Sequence, residues 1–481
     1  MAPNAQWLNL PIEIWLQILN LKIPLADLAN FCLTCYHVLA IVRPMLYRSL
    51  TLTAEKPNSL PNGAVKATFE LLARDADLAT HVRELTLDAR SRVEPASSQN
   101  ADLVNISSLR NMVRLKRLIL FGNITRHSPR STTAEFIQIL HNLQLDELRF
   151  PERGLREFVI PLVPAQLAQL GNAKRIIFGS GAFDHNDQLR HRLQPLLVAA
   201  TSSLTSLSLT GRVSHLNVLF DLHFPHLVSL ELVDLWDDSI SSSQFDAFLS
   251  SHHEMLEELY LSCTDQMSRR VGHGHALILF NASILHPEFL PNLRVFRGHS
   301  WNLTLMTGAS MRCLTTLQEL SLGFGLPRDQ NVNRVLDSVQ AFGRLGSLRA
   351  LDFDLFQWID LDVDLDTVIN RIADLCGPTL EEWRALLPYA GSWAEGLLTR
   401  FPRLRVIVLA RDSQPSNFTP LHPRAAVGNG IERIRSLAQI CTTLEEVNVI
   451  SSTGEKTQNT CWKIYRSQSG TEVKQLEVAT L

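Results

Sequence analysis

From residue 82 onward one spacing of apolar positions recurs: an apolar residue, two others, an apolar residue, one other, an apolar residue. It reads VRELTL from Val82, LKRLIL from Leu115, LDELRF from Leu145, AKRIIF from Ala173 and LTSLSL from Leu204. It continues as LVSLEL from Leu227, LEELYL from Leu256, LRVFRG from Leu293 and LQELSL from Leu317. LRALDF from Leu348, LEEWRA from Leu380, LRVIVL from Leu404 and LEEVNV from Leu444 complete the series. The last three positions alternate in, out, in, as a short half-buried strand requires. Helical patterns lie between. TTAEFIQILHN opens on a capping box, Thr132 to Glu135. DTVINRIADLCG has Asp366 as N-cap and Gly377 as its C′ residue. QNVNRVLDSVQAFG and GIERIRSLAQIC read the same way. A strand and a helix every ~30 residues, stacked in parallel, predict an α/β solenoid with its strands on a concave face and helices outside. Gly298 and Ala385 stand where two hexapeptides need apolar residues, so irregular curvature is expected there. In the tail, WKIYRSQSGTEVKQLEV from Trp462 alternates on both sides of a Ser-Gly pair and predicts a β-hairpin capping the last repeat.

This spacing, interleaved with helices over about 82–450, resembles the leucine-rich-repeat proteins of the long-repeat, horseshoe type. A generic α/β domain is the alternative.

The opening is different in kind. LNLPIEIWLQILNLKIPLADLANFCLTCYHVLAIVRPMLYRSL runs from Leu8 to Leu50. Pro11 followed by Ile14, Trp15, Ile18, Leu19 and Leu21 predicts a helix that Pro24 ends. Asp27, Leu28, Phe31 and Cys32 predict a second. A third runs from about Thr34 toward Arg43, with Pro44 closing it. Three short helices in ~40 residues cannot bury this much apolar surface among themselves, so a partner must cover part of it.

The order Leu10-Pro11-x-Glu13-Ile14, Ile18-Leu19, Asp27-Leu28, Leu33-Thr34-Cys35 and Met45-Leu46-Tyr47-Arg48-Ser49-Leu50 resembles an F-box. Thr34 replaces the family's usual valine, and Val38 stands near a common aromatic position. The resemblance implies a substrate-receptor subunit of an SCF-type ubiquitin ligase, whose F-box binds an adaptor protein and through it a cullin. By position, Leu10, Pro11, Ile14, Ile18 and Leu19 would carry much of the adaptor contact. Leu28, Leu33, Cys35, Ile41 and Leu46 would divide between the F-box core and that interface. A helical cap for the solenoid is the other reading of this segment. The expected organisation is an F-box at 1–50, a linker or cap at 51–81, the repeats at 82–455 and the hairpin cap at 456–481. The alternative function is an interaction scaffold that directs no ubiquitination.

On each strand the residues before and after the central apolar one face outward. The first half reads Glu84, Arg117, Glu147, Arg149 and Arg175, mixed and basic. The second reads Glu231, Glu258, Tyr260, Arg297, Glu319, Asp352, Glu382, Arg384 and Glu446, mainly acidic. Trp236, Trp301, Trp358 and Trp393 each fall a few residues after a strand, on loops lining one rim. Aromatic anchors beside acidic strands predict a site for a protein segment of basic character, built from these tryptophans with Glu258, Tyr260, Arg297, Glu319 and Asp352.

Composition narrows the rest. The 481 residues are 45% apolar and 19% charged, with a net charge of −3, which argues against a phosphate-backbone binder and so against nucleic acid. No uncharged apolar run reaches membrane-spanning length, and Glu13 interrupts the only N-terminal candidate for an export signal. Seven irregularly spaced cysteines then read as free thiols in the cytoplasm or nucleus. Cys32-x-x-Cys35 has metal spacing without a second pair. DLDVDLD from Asp360 has Leu365 and Arg371 where a calcium loop needs Gly and Glu. No phosphate loop or nucleophile elbow occurs. The expectation is a non-enzymatic chain with no cofactor and no metal.

Overall fold

In most repeats the first apolar residue of the hexapeptide closes a turn, and the strand begins two residues later. In the computed structural model the N–H of Leu115 donates to the Met112 carbonyl at 2.9 Å, and Leu293, Leu404 and Leu444 donate to Leu290, Phe401 and Cys441 at 3.1 Å. The acceptor residues are buried with the leucines. The buried pattern therefore extends one step upstream of the hexapeptide, a position the spacing argument left out.

The structure describes residues 27, 30, 36–53, 63–88, 106–121, 130–150, 163–179, 187–210, 217–233, 242–262, 280–323, 336–337, 340, 343, 345–353, 365–388, 396, 398–410, 428–453, 456–466 and 473–480. These fall into two units, Met1–Leu227 and Val228–Leu481.

The first unit holds α1 (Tyr36–Leu46), β1 (Ser49–Thr53), α2 (Gly63–Arg74), α3 (Ala76–Thr80) and β2 (Glu84–Asp88). It continues with α4 (Ile106–Asn111), β3 (Arg117–Phe121), α5 (Arg130–Leu143) and β4 (Glu147–Phe150). After these come α6 (Pro164–Gln169), β5 (Arg175–Phe178), α7 (Asp187–Ala200), β6 (Ser206–Thr210) and α8 (Asn217–Phe220). Strands β1 to β6 pair in sequence order, all parallel. Leu85 pairs with Leu118, and Leu118 with Leu148. All three side chains are fully buried, as are Ile176 and Leu207 farther along the row. The helices complete this core with residues such as Phe136, Ile137 and Leu140 of α5. Phe150 and Phe178 stack at 5.8 Å on neighbouring strands.

The second unit holds β7 (Ser229–Val233), α9 (Ser242–His252), β8 (Glu258–Ser262), β9 (Val295–His299), α10 (Ser300–Gly308) and α11 (Cys313–Thr316). It continues with β10 (Glu319–Gly323), β11 (Ala350–Phe353), α12 (Leu365–Cys376), β12 (Glu382–Pro388), β13 (Val406–Ala410) and α13 (Gly428–Ile440). It ends with β14 (Glu446–Thr453), β15 (Lys456–Arg466) and β16 (Val473–Thr480). Strands β7 to β14 are parallel neighbours. β15 and β16 add antiparallel, with Trp462 opposite Val478. Each of the thirteen hexapeptides thus enters a parallel strand, and the ladders have the leucine-rich-repeat arrangement.

Several expectations change. The first strand is β1, which pairs Leu50 with Leu85, so the sheet begins ahead of Val82. Its segment reads YRSLTL, with Tyr47 in place of the leading leucine. Pro44 lies inside α1, which runs on to Leu46. In the last turn a proline removes one hydrogen bond without having to end the helix. α5 begins at Arg130, so Thr132 is inside the helix and the capping box does not mark its start. α12 begins at Leu365, so Asp366 sits in its first turn, where a carboxylate suits the helix dipole. Gly377 follows that helix for want of space: a Cβ there would come within 2.7 Å of the Arg400 carbonyl oxygen.

The two irregular hexapeptides resolve differently. At Gly298 the Phe296 ring fills the inner space, and a Cβ on the glycine would lie 2.5 Å from Phe296 Cζ. At Ala385 the strand bulges: Trp383 pairs with Ile407 but Leu387 with Leu409, so β12 carries two extra residues and Leu387, not Ala385, stands opposite Leu409. The fully buried Trp383 packs on Phe401 at 5.0 Å.

Cys313, Cys376, Cys441 and Cys461 are free and buried. Burial pushes the Cys313 and Cys376 thiols up to about 12, so both stay neutral near pH 7.

If the inner leucine row carries the fold, Leu118→Ala should destabilise the chain by about 2–5 kcal/mol in urea titration. Val113→Ala, at an exposed turn, should change it by less than about 0.5 kcal/mol.

Candidate functional site

Because neighbouring strands pair in register, outward residues of the same rank line up across the sheet. In the second unit one row runs Glu258, Val295, Glu319, Ala350, Glu382. The next runs Glu231, Tyr260, Arg297, Ser321, Asp352. Arg384 follows on β12, one residue beyond the buried Trp383.

These side chains interlock. The Arg297 guanidinium lies 4.7 Å from the centre of the Tyr260 ring, a cation–π contact worth about 0.5–1 kcal/mol where partly exposed. The same guanidinium donates to Glu319 at 3.0 Å through Nε and 2.5 Å through Nη2. Glu319 also accepts from Arg384 Nη1 at 3.4 Å, while Arg384 Nη2 donates to Glu382 at 2.6 Å. Ser321 Oγ donates to Asp352 at 3.2 Å. The result is a half-buried, preorganised patch of one aromatic ring, two guanidiniums and several carboxylates.

Its charges respond to that crowding. Burial raises the Asp352 carboxyl above the ordinary aspartate range, and the Ser321 hydrogen bond and the nearby Arg384 and Arg297 only partly offset it. Burial raises the Tyr260 hydroxyl in the same way. Burial works against the Arg384 charge, but the Glu382 hydrogen bond, with Glu382, Glu319 and Asp352 around it, holds its pKa above the usual arginine value.

Glu258, Tyr260, Arg297, Glu319 and Asp352 therefore lie on two neighbouring ranks of one face. The second unit's face keeps more carboxylates than arginines, but its charge is uneven: Arg297 and Arg384 neutralise Glu319 and Glu382 locally. The first unit pairs its charges likewise. Glu84, Arg117, Glu147 and Arg175 alternate along one row, with Glu84 at 3.0 Å and Glu147 at 3.3 Å from Arg117, so that row is balanced rather than basic. Ser321, Glu382 and Arg384 were absent from the predicted site. Their rank within the hexapeptide was the available signal, and the bulge of β12 obscured how Arg384 meets Glu319.

Trp236, Trp358 and Trp393 lie outside the described residues. Trp301 falls in α10, which follows β9 directly, so its position is helical and not on a rim loop. Leu10, Pro11, Ile14, Ile18, Leu19, Leu28, Leu33 and Cys35 also lie outside the described residues. Ile41 and Leu46 sit on α1, half-buried. That helix is anchored to the repeats: Val42 is fully buried, and Arg43 pairs with Asp75. The Leu78 N–H, the Arg43 charge and the Arg43 hydrogen bond lower the Asp75 carboxyl, with burial opposing. Among the described residues no group of three His, Cys, Asp or Glu could hold a metal, and no helix is long and apolar enough to cross a membrane.

No family model and no curated protein matches the chain. Among solved structures, the leucine-rich-repeat-containing protein LegL7 from Legionella pneumophila is similar, with 12% identity and a TM-score of 0.37 over 81% of this chain and 97% of that one. The repeat reading stands on the strand ladders themselves.

Asp352 gives a direct test of the patch. A carboxyl whose folded pKa is raised contributes stability below its unfolded pKa, near 3.9, and loses it as pH rises through the folded value. Asp352→Asn, which keeps an acceptor for Ser321, should therefore raise the melting temperature at pH 7. The gain should shrink as pH falls through the ordinary aspartate range in a series of thermal melts.

Proposed function

We propose that the chain is a protein-binding scaffold built on leucine-rich repeats, and more specifically the substrate-recognition subunit of an SCF-type ubiquitin ligase. The observation that carries the specific reading is the F-box-like order of Leu10-Pro11-x-Glu13-Ile14 through Leu46-Tyr47-Arg48-Ser49-Leu50. The anchored α1 supports it. The last F-box helix leads into β1 after two residues, so an adaptor bound at the F-box would hold the first repeats in a fixed direction. Such a receptor works by proximity, raising the effective concentration of substrate lysines near the charged enzyme. No residue of this chain need touch the chemistry, and no cofactor or metal is required. The setting is the cytoplasm or nucleus, where ubiquitin ligases of this kind act.

Substrate capture falls to the Tyr260–Arg297–Glu319–Arg384 patch. An aromatic ring and paired guanidiniums are the residue types that dominate protein interfaces. Glu258 and Asp352 add carboxylates to its border, which favours a segment with basic side chains. A partner lysine or arginine would compete with Arg297 for Glu319, so charge reversal at Glu258, Glu319 and Asp352 should release the substrate.

Co-purification with the adaptor tests the ligase reading. The wild-type chain should bring the adaptor down, and Leu10→Ala with Pro11→Ala should weaken capture at least about tenfold, the loss of a few buried apolar contacts. A wild-type chain that captures no adaptor removes the F-box assignment. Adaptor capture without any change in the half-life of bound proteins leaves a scaffold that directs no ubiquitination.

A further inference from the structure

On the face of the second unit Arg297 and Arg384 are tied directly to carboxylates; at the edge where its strands begin several arginines are not. The residues just before the strands form a row there: Glu257 before β8, Arg294 before β9, Gln318 before β10, Arg349 before β11, Glu381 before β12, Arg405 before β13 and Glu445 before β14, so the basic excess comes from Arg403 and Arg466 beside it. Two clefts open along this edge, of about 550 and 590 Å³, and Arg403 lines both. The first is lined by Arg294, Arg349 and Arg403, with Gln318 and no carboxylate. The second adds Arg405 and Arg466 against Glu381 and Glu445. Five arginines thus face two glutamates on a chain whose net charge is −3.

The arginines keep donors to spare. Arg294 and Arg349 approach Glu257 and Glu381 only to 3.7 and 3.9 Å, beyond hydrogen-bond length. Their side chains are 58% and 66% exposed. Gln318, between them, carries no charge to neutralise either. At the far end Arg466 Nη2 donates to the carbonyls of Ala438, Cys441 and Leu444, while its buried Nη1 has no hydrogen-bond partner. Among the described residues no carboxylate pairs with that guanidinium.

We propose that this edge docks an extended, carboxylate-rich segment of another protein, with Arg294, Arg349 and Arg403 as its principal contacts. Guanidinium forks suit carboxylates bidentately. From β9 to β14 the row crosses five strand spacings, about 24 Å, which an extended chain of about seven residues spans. A nucleic acid fits less well: neither cleft has an aromatic lining residue on which a base could stack. The edge is distinct from the patch proposed for basic segments, so each can fail without the other.

Fluorescence anisotropy of the full chain with a fluorescein-labelled oligoglutamate of about eight residues tests this. Saturable binding should weaken with rising salt, and Arg349→Glu with Arg403→Glu should lower affinity at least about tenfold. Lys174→Glu makes one such charge reversal on a 65% exposed side chain of the first unit and should change affinity less than about twofold. If the double variant melts early, Arg403→Glu alone, at an exposed turn, should act in the same direction. No saturable binding by the wild type overturns the proposal. So does an equal loss with Lys174→Glu, or tighter binding of an oligothymidylate of equal charge.

Discussion

In most repeats one shared carbonyl sets the frame. The Arg83 carbonyl accepts the N–H groups of both Lys116 and Arg117, at 2.8 and 3.0 Å, and the Lys116 carbonyl accepts those of Asp146 and Glu147. In the second unit the Glu257 carbonyl serves Arg294 and Val295, and the Arg294 carbonyl serves Gln318 and Glu319. Two donors on one acceptor leave little freedom to slide, and a one-residue slip would turn the leucine row outward. Hydrophobic burial and hydrogen bonding therefore enforce the same register. Everything functional inherits it: the ranks that line up as exposed rows do so because each strand starts at the same point.

That register explains the different electrostatics of face and edge. On the face, outward residues of neighbouring strands stand about 5 Å apart, close enough for direct ion pairs. Glu319 reaches both Arg297 and Arg384, and Arg117 reaches both Glu84 and Glu147. Such pairs hold side chains in place more than they add stability, and a preordered surface loses less entropy on binding. At the strand starts the pairing is uneven, and Arg294 and Arg349 stay 3.7 and 3.9 Å from their nearest carboxylates. Arg405 reaches Glu381 only at 3.9 Å although it meets Glu445 at 2.8 Å.

The strand ladder was legible because leucine spacing reports burial directly. The outward ranks were legible for the same reason, which is why Glu258, Tyr260, Arg297, Glu319 and Asp352 could be grouped without coordinates. The ion pairing was not, because it depends on which strands are neighbours and on the bulge that shifts β12. β1 escaped notice because Tyr47 replaces its leading leucine and its sequence doubles as the end of the F-box-like motif. The upstream buried position was hidden by its chemical variety: Met112, Phe224, Leu290 and Cys441 share a place in the turn and little else. Gly377 is a C′ residue whose need for glycine comes from a neighbouring carbonyl that excludes any larger residue, which spacing does not reveal.

Hydrogen exchange read by mass spectrometry on the native chain addresses the shared-carbonyl frame most directly. The account predicts slow exchange recurring at the strand starts of each unit, Lys116–Arg117 and Asp146–Glu147 in the first and Arg294–Val295 and Gln318–Glu319 in the second. Strand-start amides that exchange as fast as those of the exposed turn around Val113, with protection confined to helices, would contradict it.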